Sequence, residues 1–335
     1  MSRRGALLPL LLMLCSLLAL LLGSVRLSPG QVVAALAGRD GVDPAARAIV
    51  LSVRLPRLLT AIGAGAGLSV AGLLMQTVFR NGLAGPGVLG VSAGASLGVA
   101  LVILTGLGAQ LSAASFVAAI VGSALVLVLA LLVNRVIEEP VVLLVLGLIF
   151  GYAANAGTTL LMASSPAEGL ERYIAWSFGS FALPPGPAPV LLSGGAVGLG
   201  FLLSLLGRRL DVLLLGAAYT ESSGVHARRT QGAVIVVAGA ATGLITAMTG
   251  PISFIGVAVP HLARGFLNSS RHRELAPTTA LLGATLAVVA DLVARLPGTD
   301  QILPLNAVMA IVGAPVVLTI ILKRSLGASE GAIGL

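Results

Sequence analysis

Residues 54–96 read RLPRLLTAIGAGAGLSVAGLLMQTVFRNGLAGPGVLGVSAGAS. No residue between Arg57 and Arg80 carries a charge. That interval suffices for the roughly 20 residues a helix needs to cross a bilayer. Pro56 falls in the first helical turn, where its missing N–H would have had no partner anyway. After Arg80, the Gly and Pro of RNGLAGPG break the helix, and VLGVSAGAS restarts one. Irregular backbone near lipid must be shielded by protein or line a water-filled cavity, so this turn is a candidate gate.

The rest of the chain has the same character. Of 335 residues, 57% are apolar and only 10% charged, with a mean hydropathy of +1.06. A soluble domain carries about 25% charged residues, so water cannot be the main solvent of this one. The 43 glycines lie mostly inside apolar runs, where small residues let helices approach closely. The formal charge of +8 fits basic cytoplasmic loops and argues against nucleic-acid binding. Lys323 is the only lysine, followed by Arg324, so no P-loop G-x-x-x-x-G-K-[ST] is present and ATP must be hydrolysed by another chain. Cys15, the single cysteine, excludes an intrachain disulfide. It is preceded by Leu12, Met13 and Leu14, unlike a lipoprotein signal, and residues 6–26 read as a retained first span.

Polar punctuation divides the chain into ten expected spans near residues 6–26, 57–78, 88–107, 113–133, 141–163, 188–206, 230–249, 252–267, 275–295 and 306–323. The segment 252–267 is short and opens at Gly250-Pro251, as a partial span would. With both termini inside, thirteen basic residues fall on the cytoplasmic side and seven outside, accounting for all 20. That asymmetry supports an N-in, C-in orientation. Two outer segments, 28–53 and 164–187, and one inner segment, 207–229, are long enough to fold. In the inner one, Gly216 parts the apolar Val212–Leu215 stretch from residues 217–229, a break that predicts two short helices at the membrane surface. Such a loop suits a socket on a partner, and equally a plain interfacial loop.

Arg54 and Arg57 stand at an outer surface, where positive charge is disfavoured. Either they snorkel at the interface, or their guanidinium groups anchor an acidic soluble partner through bidentate carboxylate pairing. Asp291 and Arg295, spaced i, i+4 near the outer end of the ninth span, read as an ion pair, structural or functional. His261 has no second ligand at metal-binding spacing and reads as an interfacial hydrogen-bonding group. Gly151, Asn155, Thr158 and Thr159 recur on roughly one face of the fifth span, as pathway lining or as a small-residue packing stripe.

Seven ordered patterns then carry a resemblance. They are RLPR (54–57), Gln76 with RNGLAGPGVLGVSAGAS (80–96), WSFGS (176–180), LDVLLLG (210–216), GPISFIGVAVPHLAR (250–264), ADLVAR (290–295) and LPLNAVMAIVGAP (303–315). Together they resemble the FecCD-type permeases, membrane subunits of type II ABC importers for iron-siderophore, haem or cobalamin. The resemblance implies an all-α polytopic protein of about ten transmembrane helices, forming one permease domain over residues 1–335 in a bacterial inner membrane. It implies a homodimer, or a heterodimer with a paralogous permease. Two cytoplasmic ATPase subunits would hold ATP and Mg, and a periplasmic or lipid-anchored binding protein would complete the assembly. No cofactor belongs to the chain itself.

By the same resemblance, Arg54, Arg57 and Arg295 receive acidic residues of the binding protein. The ATPase-docking loop runs from Leu210 to Val225, with Asp211, Leu215, Gly216, Glu221 and Gly224 within it. Gate positions fall on Asn81, Leu83, Pro140 and Val141. Gly82 stands where the family has proline, Gln301 and Pro304-Leu305-Asn306 replace its usual Glu and Pro-x-Gly, and Glu221 is displaced from the usual docking-loop glutamate. Iron(III)-siderophore is the first expectation for cargo, then haem, then cobalamin. An ion-coupled secondary transporter would need intramembrane carboxylates, and Asp291, with Arg295 at hand, is the only candidate well inside a span.

Overall fold

The computed structural model describes residues 7–39, 43–107, 112–137, 139–183, 185–295 and 302–333. Ala6, Arg3, Arg4, Pro184 and Gln301 lie outside the described residues, as do the side chains of Lys323 and Arg324. In chain order the helices are α1 (Leu7–Leu21), α2 (Pro29–Leu36), α3 (Pro44–Ala48), α4 (Leu55–Val78), α5 (Val91–Leu104), α6 (Ser112–Val136), α7 (Pro140–Ala163) and α8 (Ala167–Ser177). They continue with α9 (Pro187–Leu205), α10 (Gly207–Leu214), α11 (Ala217–Ser222), α12 (Ala227–Thr249), α13 (Ile255–Leu267), α14 (His272–Ala294) and α15 (Leu305–Ile333). Six helical segments are long and apolar enough to cross a membrane, and four shorter apolar ones, including α1, α5 and α13, accompany them. These ten coincide with the ten apolar segments of the sequence.

α4 is the hub. The most apolar window of its helical segment is 89% buried, against 22% for α6 and for α7. Four helices, α9, α12, α13 and α14, pack around it. The contact is close because the facing residues are small. A Cβ on Gly65 would collide with the Gly283 carbonyl of α14, and one on Gly72 with the Gly256 backbone of α13. In lipid, where apolar surface gains little by leaving the solvent, such backbone proximity supplies the adhesion.

α4 and α14 run antiparallel, so their ends define two poles. At one, the start of α4, the end of α14 and the end of α1 meet through Arg54 and Arg295. At the other, the end of α4 meets the start of α14 and α10. The charge distribution makes the first pole outer and the second inner. The expected inner segment 207–229 is indeed two short helices, parted at Gly216, whose φ of 109° favours glycine.

Several helices end part-way along the bundle. Gly90, at φ 78°, precedes α5 and packs on Gly147 and Gly151, two to three turns into α7. α13 begins against the middle of α4. α8, a helix in the outer segment 164–187, brings Phe178 and Gly179 to the break between α12 and α13. Their exposed backbone groups need partners, and Asn306 supplies three. Its Nδ2 donates to Ser177 O (3.2 Å) and Pro251 O (2.7 Å), and its Oδ1 accepts from Ser253 N (3.0 Å).

Candidate functional site

At the outer pole Asp291 is shared. Arg57 Nε donates to its Oδ1 at 2.8 Å, and Arg295 Nε lies 3.1 Å from its Oδ2. The i, i+4 pair expected from the sequence is present, and Arg57, 234 positions away, joins it. One carboxylate between two guanidinium groups leaves a surplus positive charge. Arg54 adds to it. Its Nη1 donates to Leu20 O (2.6 Å) and Leu21 O (2.9 Å), and its Nη2 to Val25 O. The Leu20 and Leu21 carbonyls are among those that close α1, the negative end of its dipole, and Val25 follows in the loop beyond it.

Arg54, Arg57 and Arg295 line one cavity of about 360 Å³, with Gly23, Val25, Val53 and Ile302 among the other walls. The structure thus brings all three sequence-selected arginines together, but not alike. Arg54 is only 5% exposed and bonds the end of α1, whereas the Arg57 and Arg295 side chains, each 12% exposed, pair with Asp291, and Arg295 also reaches Ala19 O and Leu22 O. The cause is local. Residues Ile49–Arg54 form a π-helical turn leading into α4, and its looser winding re-aims Arg54 toward α1.

A second cavity, of about 390 Å³, lies where α5 begins against α7. Gly151 and Asn155 line it, with Gly87, Gly90, Ser92 and Ser96 opposite. Thr158 is buried beside Tyr173 and donates to Ala154 O, and Thr159 is exposed with its hydroxyl on Asn155 O, so neither is among the lining residues. Of the stripe read on the fifth span, Gly151 and Asn155 line this cavity, Thr158 packs inside, and Thr159 faces outward.

At the inner pole the turn after α4, expected from the sequence to be a gate, is held by hydrogen bonds. Asn81 Oδ1 accepts from Leu83 N at 2.9 Å, and Leu83 is exposed. His261 Nε2 donates to Gly82 O at 2.6 Å, the hydrogen-bonding role expected of it. Pro140 opens α7 at its first turn, and Val141 beside it is exposed. In the docking loop Leu210 is buried while Leu215 projects outward. Glu221 Oε1 accepts from Ala227 N (2.8 Å) at the start of α12, Gly224 adopts φ 74°, and Val225 N donates to Thr220 O.

One residue that sequence reasoning missed sits here. His272 is buried between Asp211 of α10 and Thr77 of α4. It stands between Arg271 and Arg273, and its side-chain partners lie 61 and 195 positions away.

The site thus lies on a helical membrane bundle with a cationic cavity at one pole and an exposed two-helix loop at the other. The model of the FecCD transport family matches residues 11–323, and the chain belongs to that family. It is 36% identical, over 82% of its length and 83% of the relative's, to the vitamin B12 import system permease protein BtuC of Vibrio cholerae. It is 32% identical, over 92% of its length and 91% of the relative's, to the Fe(3+)-citrate import system permease protein YfmE of Bacillus subtilis. A solved chain described as a metal-chelate type ABC transporter in an inward-facing conformation superposes with a TM-score of 0.85. That match, at 29% identity, covers 96% of this chain and all of the other. The chain is therefore a multi-pass membrane permease of ABC importer type, in a family whose ATPase activity resides in a separate subunit.

Proposed function

We propose that this chain forms the translocation pathway of a binding-protein-dependent importer for a metal chelate in the bacterial inner membrane, working by ATP-driven alternating access. The observation that carries this is the outer cavity, lined by three guanidinium groups, two of which, Arg57 and Arg295, share the single Asp291 carboxylate. A site of that charge suits an acidic side chain of a periplasmic or lipid-anchored binding protein, with Arg57 and Arg295 as contacts and Arg54 as the frame. Two such subunits, identical or paralogous, enclose the path, and two cytoplasmic ATPase subunits supply ATP and Mg. The loop from Leu210 to Val225 receives their movement, and Asn81, Leu83, Pro140 and Val141 gate the path lined by Gly151 and Asn155. Nucleic acid has no part in it.

The cargo is read as iron(III)-siderophore, with haem or cobalamin as the alternatives, and relatives named for B12 and Fe(3+)-citrate import support the chelate class. Uptake into proteoliposomes, with and without the ATPase and the binding protein, tests the proposal. ATP-dependent uptake that needs both partners is expected. Uptake driven by an ion gradient alone would overturn it. Thermal-shift measurements on the binding protein with a panel of ferric siderophores, haem and cobalamin decide the cargo.

A further inference from the structure

We propose that Asp211, His272 and Thr77 form a side-chain bolt that carries movement of the docking helix α10 into the gate end of α4, with His272 as the positioning residue. This rests on the importer reading and extends it from Asp211 of the docking loop to His272 and Thr77, which lie outside the docking and gate motifs.

Asp211 Oδ1 accepts the backbone N–H of His272 at 3.0 Å and faces the ring Nδ1 at 2.7 Å. An ionised carboxylate is an acceptor only, so Nδ1 carries the proton. The other ring nitrogen, Nε2, lies 2.7 Å from Thr77 Oγ1, whose hydroxyl is also 2.8 Å from Leu73 O. Thr77 has one hydroxyl proton. Either it donates to Nε2 of a neutral ring, or it donates to Leu73 O and a doubly protonated ring donates to it. The link to α4 exists in both states. His272 is 1% exposed and Thr77 fully buried, so water offers neither an easy replacement.

The geometry makes this a transmission and not merely a contact. α10 also rests on the bundle through buried Leu210 and Leu213, but apolar surfaces slide. A planar ring bonded at both ends fixes register instead. Thr77 is one turn from Asn81, which holds Leu83 N; Gln76 ties this end of α4 to Val257 O of α13, and His261 of α13 bonds Gly82 O in the turn. A shift of α10 therefore reaches the gate turn through a rigid path three side chains long.

The test uses the full complex of permease, ATPase and binding protein, with Cys15→Ala and Leu83→Cys in the permease. Maleimide labelling of that cysteine is measured alongside ATP hydrolysis. With an otherwise unaltered permease, labelling changes on addition of ATP; absence of that change removes the importer reading and the bolt with it. Thr77→Val, which removes the hydroxyl at nearly constant shape, is expected to cut the ATP-dependent labelling change roughly three- to tenfold while hydrolysis continues. Thr77→Ser restores it. His272→Leu does at least as much damage, and the double variant is no worse than His272→Leu alone, because one link breaks only once. If His272→Leu fails to assemble, the Thr77 pair carries the test. An unaltered labelling change in Thr77→Val, independent losses in the double variant, or lower thermal stability with coupling intact would each overturn the bolt.

Discussion

The two ends of the α4–α14 pair use similar chemistry for opposite purposes. At the outer end, Arg57 and Arg295 share Asp291 and leave positive charge facing a cavity. At the inner end, Arg264 Nη1 is bonded to Gln76 Oε1 (2.7 Å), Gln76 Nε2 to Val257 O (3.2 Å), and His272 to groups on both sides. One pole keeps a surplus to offer a partner. The other commits its polar groups internally, as a rigid joint requires. Satisfied groups build structure, and under-neutralised ones build binding sites.

The largest test reverses the outer surplus. Arg57→Glu with Arg295→Glu should weaken binding-protein affinity more than about a hundredfold, measured by surface binding to the assembled complex. A neutral set, Arg57→Gln, Arg295→Gln and Asp291→Asn, should also lose docking while keeping the fold. Retained affinity in both would move the docking site elsewhere. Arg54→Ala should act on the fold, costing roughly 2–4 kcal/mol by leaving the α1 carbonyls unpaired, seen as a lower Tm in detergent. An unchanged Tm with lost docking would make Arg54 a contact residue after all.

At the inner pole, Gln76→Leu should cost about 1–3 kcal/mol in thermal unfolding, whereas Gln76→Glu keeps a partner for Arg264 and stays near neutral. Raising salt tenfold from about 0.05 M should loosen binding-protein affinity by up to roughly tenfold, because the long-range attraction of an acidic partner to the outer cavity is screened. Buried Thr77 and His272 should hold, so the labelling response of Leu83→Cys stays constant once complexes have formed. The smallest effect belongs to the exposed Glu168–Arg172 pair on α8. Glu168→Ala should change stability by no more than about 0.5 kcal/mol.

The apolar helices were legible because hydropathy and helix length are local properties. The break at Gly216 and the shortness of α13 were legible for the same reason, being written in Gly and Pro. The outer arginines were singled out by charge in a place that disfavours it. Their geometry was hidden, since a π turn over Ile49–Arg54 re-aims Arg54 and Asp291 finds Arg57 across 234 positions. His272 was hidden because its partners lie 61 and 195 positions away. α8 was obscured by its charged residues and the Pro-rich run after it, which resemble an ordinary loop.

Asn306 has a consequence for how the chain is made. Its amide bonds Ser177 O, Pro251 O and Ser253 N, all belonging to segments synthesised earlier. During translation those segments enter the membrane more than fifty residues ahead of their partner, with peptide groups unpaired. The nascent protein must shelter them in the translocon or in water until α15 arrives. That helix therefore closes the assembly.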